Sequence, residues 1–274
     1  MVYDLHSHST FSDGQLTPTE LVKRAEEKKV DVFALTDHDT IAGVSEACAA
    51  ASSRLKIITG VEISTQWREY NIHVVGLNVD LGNSILIKGL NNQQAAREKR
   101  YDTLIENLKK DKIEDRENKI KGLAGRTVPG RPHFAKYLVE NQHCENYSEA
   151  YKKLSPGGKY YVNPGWEYMA YAVNWIVKSG GVAILAHPDK YGMGKAGLKA
   201  FLRDFKNAGG LAIEVCYGAG SKAATSKAAH LAKEYNLYGS TGSDFHRPGA
   251  PGIELGKVNE LPKGIKPVWE LFNA

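Results

Sequence analysis

The stretches YDLHSHSTFSDG (Tyr3–Gly14) and FALTDHDT (Phe33–Thr40) decide how this chain folds. Each begins with apolar residues that favour a β-strand and then changes abruptly to His, Asp, Ser and Thr. In α/β proteins, functional side chains collect where strands end. His6 and His8 are two positions apart, so along a strand both side chains point to one face. One metal ion can therefore bind both imidazoles.

The same pattern, an apolar run that ends in His, Asp or Glu, recurs along the rest of the chain. Oxygen and nitrogen donors of these types bind transition metals. The residues in such positions are Asp13, Asp37, His38, Asp39, Glu62, His73, His187, Asp244 and His246. His73, which is flanked by Ile72 and Val74, is also compatible with a buried core histidine.

The spacing of these runs resembles the PHP (polymerase and histidinol phosphatase) family of metal-dependent phosphoesterases, over nearly the whole chain. In that family an H-x-H, a downstream His or Asp, an x-D-H-D, a Glu, a lone His, an A-H-P and a terminal D-x-H build a three-metal site. The resemblance implies that the metal ligands are His6, His8, Asp13, His38, Glu62, His73, His187, Asp244 and His246. An Asp at position 13, where other members have His, resembles the subgroup of nucleoside 3',5'-bisphosphate phosphatases and RNase AM-like 5'-3' exoribonucleases. It is unlike the pattern of histidinol phosphatases.

This set contains six imidazoles and three carboxylates and no sulfur. It favours Mn(II), Zn(II) or Fe(II) over Ca(II) or Mg(II). We expect two to three divalent ions, with Mn(II) the first choice. Two ions about 4 Å apart can activate a hydroxide and aim it at phosphorus. We expect Asp13 and His38 to take part in catalysis, Asp37 to orient a ligand or the water, and Asp39 or Thr40 to cap the next helix.

Strands and helices alternate along the chain and predict an α/β fold, a distorted seven-stranded (β/α) barrel of the PHP type with a parallel sheet. The first helix carries its own start signal, with Thr17 as N-cap, Pro18 at its first position and Glu20 completing a capping box. Strands are predicted at Lys56–Ile63 and Ile72–Leu77, and a later helix at Trp166–Lys178.

The alternation is interrupted by a polar, helical segment that we expect to form an inserted cap over residues 83–164. Residues 1–82 and 165–274 then form the catalytic barrel. The cap's first helix carries charges of both signs, which favours a solvated surface over a grip on nucleic acid.

The run GRPH in the cap places Arg131 and His133 around a proline at a predicted helix start, where free backbone N–H groups favour anions. In the nucleotide-cleaving members of the family a similar run contacts the substrate phosphate. The resemblance therefore implies that both residues bind substrate, and His133 is also a candidate general acid. Lys159, Tyr160 and the adjacent Tyr161 are weaker candidates for lining the pocket and stacking a base.

The composition restricts the remaining possibilities. A net charge of +5 and a pI near 8.9 suit anionic partners such as nucleotides or RNA, although many soluble proteins share this balance. Three scattered cysteines indicate neither a disulfide framework nor a thiolate metal site, which fits a reducing cytoplasm. No secretory leader or membrane-spanning run is recognisable, and we expect neither a membrane nor an obligate protein partner.

The sequence thus predicts a metal-dependent phosphoesterase that hydrolyses the 3'-phosphate of nucleoside 3',5'-bisphosphates such as pAp, or cleaves short RNA from its 5' end. Three alternatives remain open. They are a phosphatase of another small ester of the histidinol phosphate type, an amidohydrolase, which also opens with H-x-H and ends with a strand-end Asp, and a non-catalytic regulatory PHP module.

Overall fold

The structure is a computed structural model that describes residues 1–115, 118–218 and 220–273. It has a seven-stranded sheet in which the strands pair in sequence order. The strands are β1 (Tyr3–Asp4), β2 (Val32–Leu35), β3 (Lys56–Trp67), β4 (Tyr70–Leu77), β5 (Val182–Leu185), β6 (Ala212–Tyr217) and β7 (Tyr238–Gly242). The helices are α1 (Pro18–Glu27), α2 (Val44–Ala50), α3 (Ser84–Lys110), α4 (Lys119–Ala124), α5 (Arg131–Glu140), α6 (Tyr147–Lys153), α7 (Met169–Lys178), α8 (Lys195–Asn207) and α9 (Lys222–Glu234).

The sheet closes into a nearly complete barrel because the first and last strands lie side by side. The Leu5 amide donates to the Thr241 carbonyl at 3.0 Å, and the Asp244 amide donates to the His6 carbonyl at 2.9 Å. A 3-10 helix, Val268–Asn273, lies against β7. The predicted α/β barrel is confirmed.

The prediction of a wholly parallel sheet is wrong for one strand. β4 runs antiparallel to both β3 and β5, whereas the other pairs are parallel. β3 continues to Trp67 and returns through a two-residue turn at Arg68 and Glu69. Such a short connection can join only antiparallel strands, so this hairpin replaces a strand–helix unit of the barrel.

The start of the first helix is confirmed and that of the second is not. Thr17 and Glu20 form the predicted reciprocal capping box of α1. α2 begins later than predicted, after Gly43, and neither Asp39 nor Thr40 is its cap. Likewise α7 begins at Met169 and not at Trp166.

Among the hydrophobic core clusters of the described residues, one in the barrel and one in the inserted segment are separate from each other. The barrel core includes Val61 and Ile176, and the second core, within the inserted segment, includes Phe134 and Leu138. Helix α3 takes part in both, since Leu86 and Leu90 pack in the first and Leu104 and Leu108 in the second. Helix α3 therefore links the inserted segment to the barrel, and the boundary at residue 83 remains a prediction.

Because β1 and β7 lie in close contact where the barrel closes, we expect one methyl group added at Gly242 to destabilise the fold. A Cβ at Gly242 would lie 2.4 Å from the Cβ of His6 and 2.6 Å from its backbone nitrogen. Gly242→Ala should therefore force β1 and β7 apart and lower the free energy of unfolding by about 1–3 kcal/mol, measured by urea titration. Gly122→Ala is the matched control, because a Cβ there meets nothing within 4 Å; equal stability of the two variants would contradict the prediction.

Candidate metal centre

The barrel brings all nine predicted metal ligands to one end of its strands. They lie on β3 and β4 or in the segments that follow β1, β2, β5 and β7. Their donor atoms form three groups within which every atom lies within 4.8 Å of the others. The groups are His8, Asp13, His38 and His246; His6, His8 and Asp244; and His38, Glu62 and His73. His187 joins the cluster through Glu62.

Glu62 lies at the centre of five imidazoles and is almost completely buried. One of its oxygens, Oε2, lies 3.3 Å from His6 Nε2, 3.3 Å from His8 Nε2 and 3.0 Å from His38 Nδ1. The other, Oε1, lies 3.0 Å from His73 Nδ1 and 3.1 Å from His187 Nε2. Each oxygen therefore faces a different set of histidines. His73 belongs to this cluster and is not a core histidine.

Two aspartates complete the centre on either side of Glu62. Asp244 Oδ1 lies 3.4 Å from His8 Nε2 and 3.6 Å from His6 Nε2. Asp13 Oδ1 lies 3.3 Å from His246 Nε2 and 3.8 Å from His38 Nε2. Each carboxylate thus faces a pair of imidazole nitrogens.

The donor atoms fit divalent metal ions in two respects, namely their spacing and their lack of hydrogen-bond partners. Donors that share an ion at bonds of about 2.1 Å lie roughly 3–3.5 Å apart, which matches the separations around Glu62. Among the described residues, five of these buried donor atoms have no hydrogen-bond partner, namely His6 Nε2, His8 Nε2, Asp13 Oδ1, His38 Nδ1 and His187 Nδ1. Buried polar atoms are almost always satisfied, so their number here indicates cations.

The pKa values of the cluster also favour bound cations. Burial alone would raise the pKa of Glu62, but the charges of His73, His6 and His38 hold it well below its usual range. Burial would lower the pKa of His8, yet the neighbouring carboxylates of Asp244 and Glu62 raise it to about 10. His38, in contrast, has its pKa lowered to about 4 by burial. The carboxylates of the centre therefore stay ionised and hold positive charge beside them.

Glu214, a buried glutamate outside the predicted ligand set, supports two of the ligands. Glu214 on β6 accepts a hydrogen bond from His6 Nδ1 at 2.7 Å through Oε1 and from the His187 amide at 2.7 Å through Oε2. Its bond to Nδ1 directs the Nε2 of His6 toward Glu62 and Asp244. The signal was present in the sequence, since Glu214 is a lone charge within the apolar strand Ala212–Tyr217.

Removing that support should weaken metal binding without removing a ligand. Glu214→Gln keeps the side-chain shape but loses the charge that accepts the His6 proton, so we expect about 10- to 100-fold weaker metal affinity. Metal titration followed by calorimetry measures this, with the exposed Glu260→Gln as control. Unchanged affinity in Glu214→Gln would contradict the role assigned here.

Asp37 and Asp39, which flank His38, have different surroundings. Asp37 accepts hydrogen bonds from the Ser9 amide at 2.7 Å, from Ser9 Oγ at 2.6 Å and from Ser12 Oγ at 2.6 Å. Ser12 Oγ in turn lies 3.4 Å from His8 Nδ1. Asp37 therefore holds the loop that carries His8, and its orienting role remains a prediction.

Asp39 was predicted to cap a helix and instead ties the barrel to α3. Its buried carboxylate pairs with Arg97 at 2.6 Å and accepts from the Ser64 amide at 2.7 Å. Its backbone has a positive φ of 56°, as have His187 and Asp244 at other strand ends. Residues held in this sparsely populated region cluster at functional sites.

Lys190 is a further side chain that the sequence did not indicate. Its Nζ donates to Asp244 Oδ2 at 2.6 Å. Burial lowers the pKa of Lys190, but Asp244 and the more distant Glu214 more than offset this and raise it. Lys190 is therefore charged and holds the orientation of Asp244.

The inserted segment contributes a group of arginines close to the metal centre. Arg131 and His133 lie at the start of α5, as predicted, and two unpredicted residues, Arg97 and Arg100, lie one turn apart on α3. Burial, followed by the charges of Arg131 and Arg97, lowers the pKa of Arg100 to about 9. Within the described part of the chain, the buried Nε of Arg100 has no hydrogen-bond partner. The arginines thus gather positive charge on one side of the inserted segment.

His133 connects this group to the metal centre. Burial lowers the pKa of His133, while the Asp13 carboxylate raises it and Arg97 lowers it. The Gly130 amide donates to His133 Nδ1 at 3.0 Å. An Nδ1 that accepts leaves the proton of the neutral ring on Nε2.

Lys159 and Tyr160 are not brought to the metal centre by any contact in the described residues. Lys159 forms an ion pair with Asp111, and Tyr160 Oη donates to Asp111 at 2.6 Å. Tyr160 is buried in the second hydrophobic core. Both residues hold the inserted segment together, and a role in binding substrate remains a prediction.

The barrel and its cluster of imidazoles and carboxylates define a metal-dependent hydrolase. A family model described as "PHP domain" matches residues 4–215, so the chain belongs to the PHP family, whose members are metal-dependent phosphoesterases. Within the described residues, no helix is long and apolar enough to cross a membrane.

Relatives with assigned activities match nearly the full chain. A 5'-3' exoribonuclease of Haemophilus influenzae is 43% identical over 98% of both chains. A 3',5'-nucleoside bisphosphate phosphatase of Chromobacterium violaceum is 37% identical over 99% of this chain and 96% of its own. A solved structure from C. violaceum, described as an amidohydrolase with bound sulfate, superposes with a TM-score of 0.93 at 36% identity, over 100% of this chain and 96% of that one. The chain therefore shares the fold and most of its length with hydrolases.

Proposed function

We propose that this protein hydrolyses the 3'-phosphate of nucleoside 3',5'-bisphosphates such as pAp and, by the same attack on phosphorus, releases nucleotides from the 5' end of short RNA. The observation that carries the proposal is the group of arginines with an unpartnered buried Nε beside the metal-ligand cluster. A substrate with two phosphates matches this pair of sites. The metal-ligand cluster binds the reacting phosphate, and the arginines bind the other phosphate. Both activities are named among the relatives.

The nine ligands would hold two to three divalent ions, with Mn(II) expected and Zn(II) or Fe(II) as alternatives. Bound ions of this kind supply a hydroxide at neutral pH and neutralise the charge that develops on the phosphate. His6, His8, Glu62 and Asp244 supply ligands on one side, and Asp13, His38 and His246 on the other.

The remaining roles belong to the cap. Arg131 and Arg100 bind the 5'-phosphate, because planar guanidinium groups match phosphate oxygens in pairs. His133 presents its Nε2 proton to the departing 3'-oxygen. In this scheme residues 83–164 bind substrate and residues 1–82 and 165–274 carry the chemistry. Nucleotides and RNA as substrates are also consistent with a cytoplasmic location.

The first test compares hydrolysis of pAp and a short 5'-phosphorylated RNA after chelation and after supply of Mn(II), Zn(II) or Fe(II). Release of phosphate from pAp that depends on metal supports the proposal, with an Asp13→Ala/His38→Ala double variant as the inactive control. Preferred hydrolysis of histidinol phosphate or of an amide would establish one of the alternatives. Absence of hydrolysis with every metal and substrate would favour a regulatory module.

A further inference from the structure

A groove of about 570 Å³ separates the barrel loops from the inserted segment. Phe11, Thr40 and Ala42 line it on the barrel side, and residues of α3 and of the stretch from Lys121 to Pro129 line it on the other. No residue of the proposed mechanism lies in this lining. The proposed reaction on pAp therefore gives the groove no role.

Both walls of the groove are formed by residues that lie close in sequence to metal ligands or to His133. On the barrel side Phe11 precedes Asp13 by two residues, and Thr40 follows His38 by two. On the other side Pro129 precedes Gly130, whose amide binds His133. A chain attached to the reacting phosphate can therefore leave the metal centre through the groove.

The side chains in the groove suit a nucleotide. The guanidinium of Arg126 lies 5.3 Å from the centre of the Phe11 ring and is 61% exposed, and it also pairs with Glu46 at 3.4 Å. Aromatic rings and arginine planes stack on bases of any sequence. Lys121 adds a second cation, whereas Glu98 and Asp102 carry the opposite charge. Binding here would depend on stacking and hydrogen bonds more than on net charge.

We propose that this groove binds the second nucleotide of a single-stranded RNA substrate, and that it determines whether the protein acts as an exonuclease as well as a phosphatase. The inference rests on the proposed function. In both reactions water adds to phosphorus, the bond from phosphorus to the first nucleotide's 3'-oxygen breaks, and a proton passes to that oxygen. In RNA the phosphate remains attached to the 5'-oxygen of the second nucleotide, which must be accommodated; in pAp nothing follows the phosphate.

The test compares pAp with the dinucleotide pApA on the Mn(II)-loaded enzyme and on two groove variants. Arg126→Ala removes a stacking plane, and Ala42→Trp fills the groove from an exposed position. We expect kcat/KM for pApA to fall about 10- to 100-fold, the range that one lost base stack gives, with kcat/KM for pAp unchanged. Arg203→Ala, at an exposed position on α8, is the control.

The outcomes separate this inference from the function on which it rests. Wild-type activity on pAp without activity on pApA would overturn the groove assignment and the exonuclease part of the proposed function, and would leave the phosphatase part standing. Equal losses on both substrates, or no loss on pApA in either variant, would also overturn it. Wild-type inactivity on both substrates would overturn the proposed function together with the groove.

Discussion

Glu62→Gln should abolish activity while the protein stays folded. Both oxygens of Glu62 face imidazoles, and the nearest nitrogens lie at 3.0 Å on each side. Replacing one oxygen with an amide group removes the negative charge and presents N–H donors where cations bind. We expect kcat to fall by about 10³-fold or more, since charge stabilisation in the transition state is lost together with bound metal.

The measurement combines kcat on pAp with the metal content of the purified protein. Glu69→Gln is the matched control, because Glu69 lies exposed in the turn at the far end of the same β3–β4 hairpin. The variant should show less bound metal and a circular dichroism spectrum like that of the wild type. Full metal content with normal kcat would show that Glu62 is not needed to hold the metal.

The free energy of unfolding should also respond to this change, and the size of the effect depends on pH. The pKa of Glu62 is lower in the folded protein than in the unfolded chain because of the charges of His73, His6 and His38, although burial opposes this. Such a carboxylate stabilises the fold above its unfolded pKa, and the contribution is lost as the pH falls through its lower folded pKa. The metal-free wild type should therefore lose part of its stability advantage over Glu62→Gln in acid.

The metal ligands could be predicted because each occurs where an apolar run ends, and the barrel places all such ends together. The β3–β4 hairpin was missed because two strands separated by a short polar turn were interpreted as consecutive parallel units. Asp39 illustrates a different limit. A strand-end Asp before a helix fits a cap by local rules, and its true partner, Arg97, lies on a helix that starts more than forty residues later.

The arginines of α3 were missed for a related reason. The helix carries charges of both signs, so its sequence fits a solvated surface. Which face meets the metal centre depends on how α3 packs between the two cores, where Leu86 and Leu104 point into different interiors. Arg97 and Arg100 share a face because they are three residues apart. Only tertiary packing distinguishes this face from the exposed ones.

Arg100→Met should make the protein more stable and a poorer enzyme. The Arg100 side chain is largely buried beside Arg97 and Arg131, and among the described residues its Nε has no hydrogen-bond partner. Methionine fills similar space without the charge, so we expect the melting temperature to rise by about 2–4 °C. The exposed Arg203→Met, at a solvated position on α8, should leave it unchanged.

The loss of activity should depend on the second phosphate of the substrate. For pAp we expect kcat/KM to fall about 10- to 150-fold in Arg100→Met, the effect of losing a charge-assisted hydrogen bond of about 1.5–3 kcal/mol. Adenosine 3'-phosphate has no 5'-phosphate, so its slower hydrolysis should hardly change. Equal losses on the two substrates would show that Arg100 acts at the reacting phosphate. The preferential loss, together with a higher melting temperature, would show that the buried positive charge is retained for binding the substrate at a cost in stability.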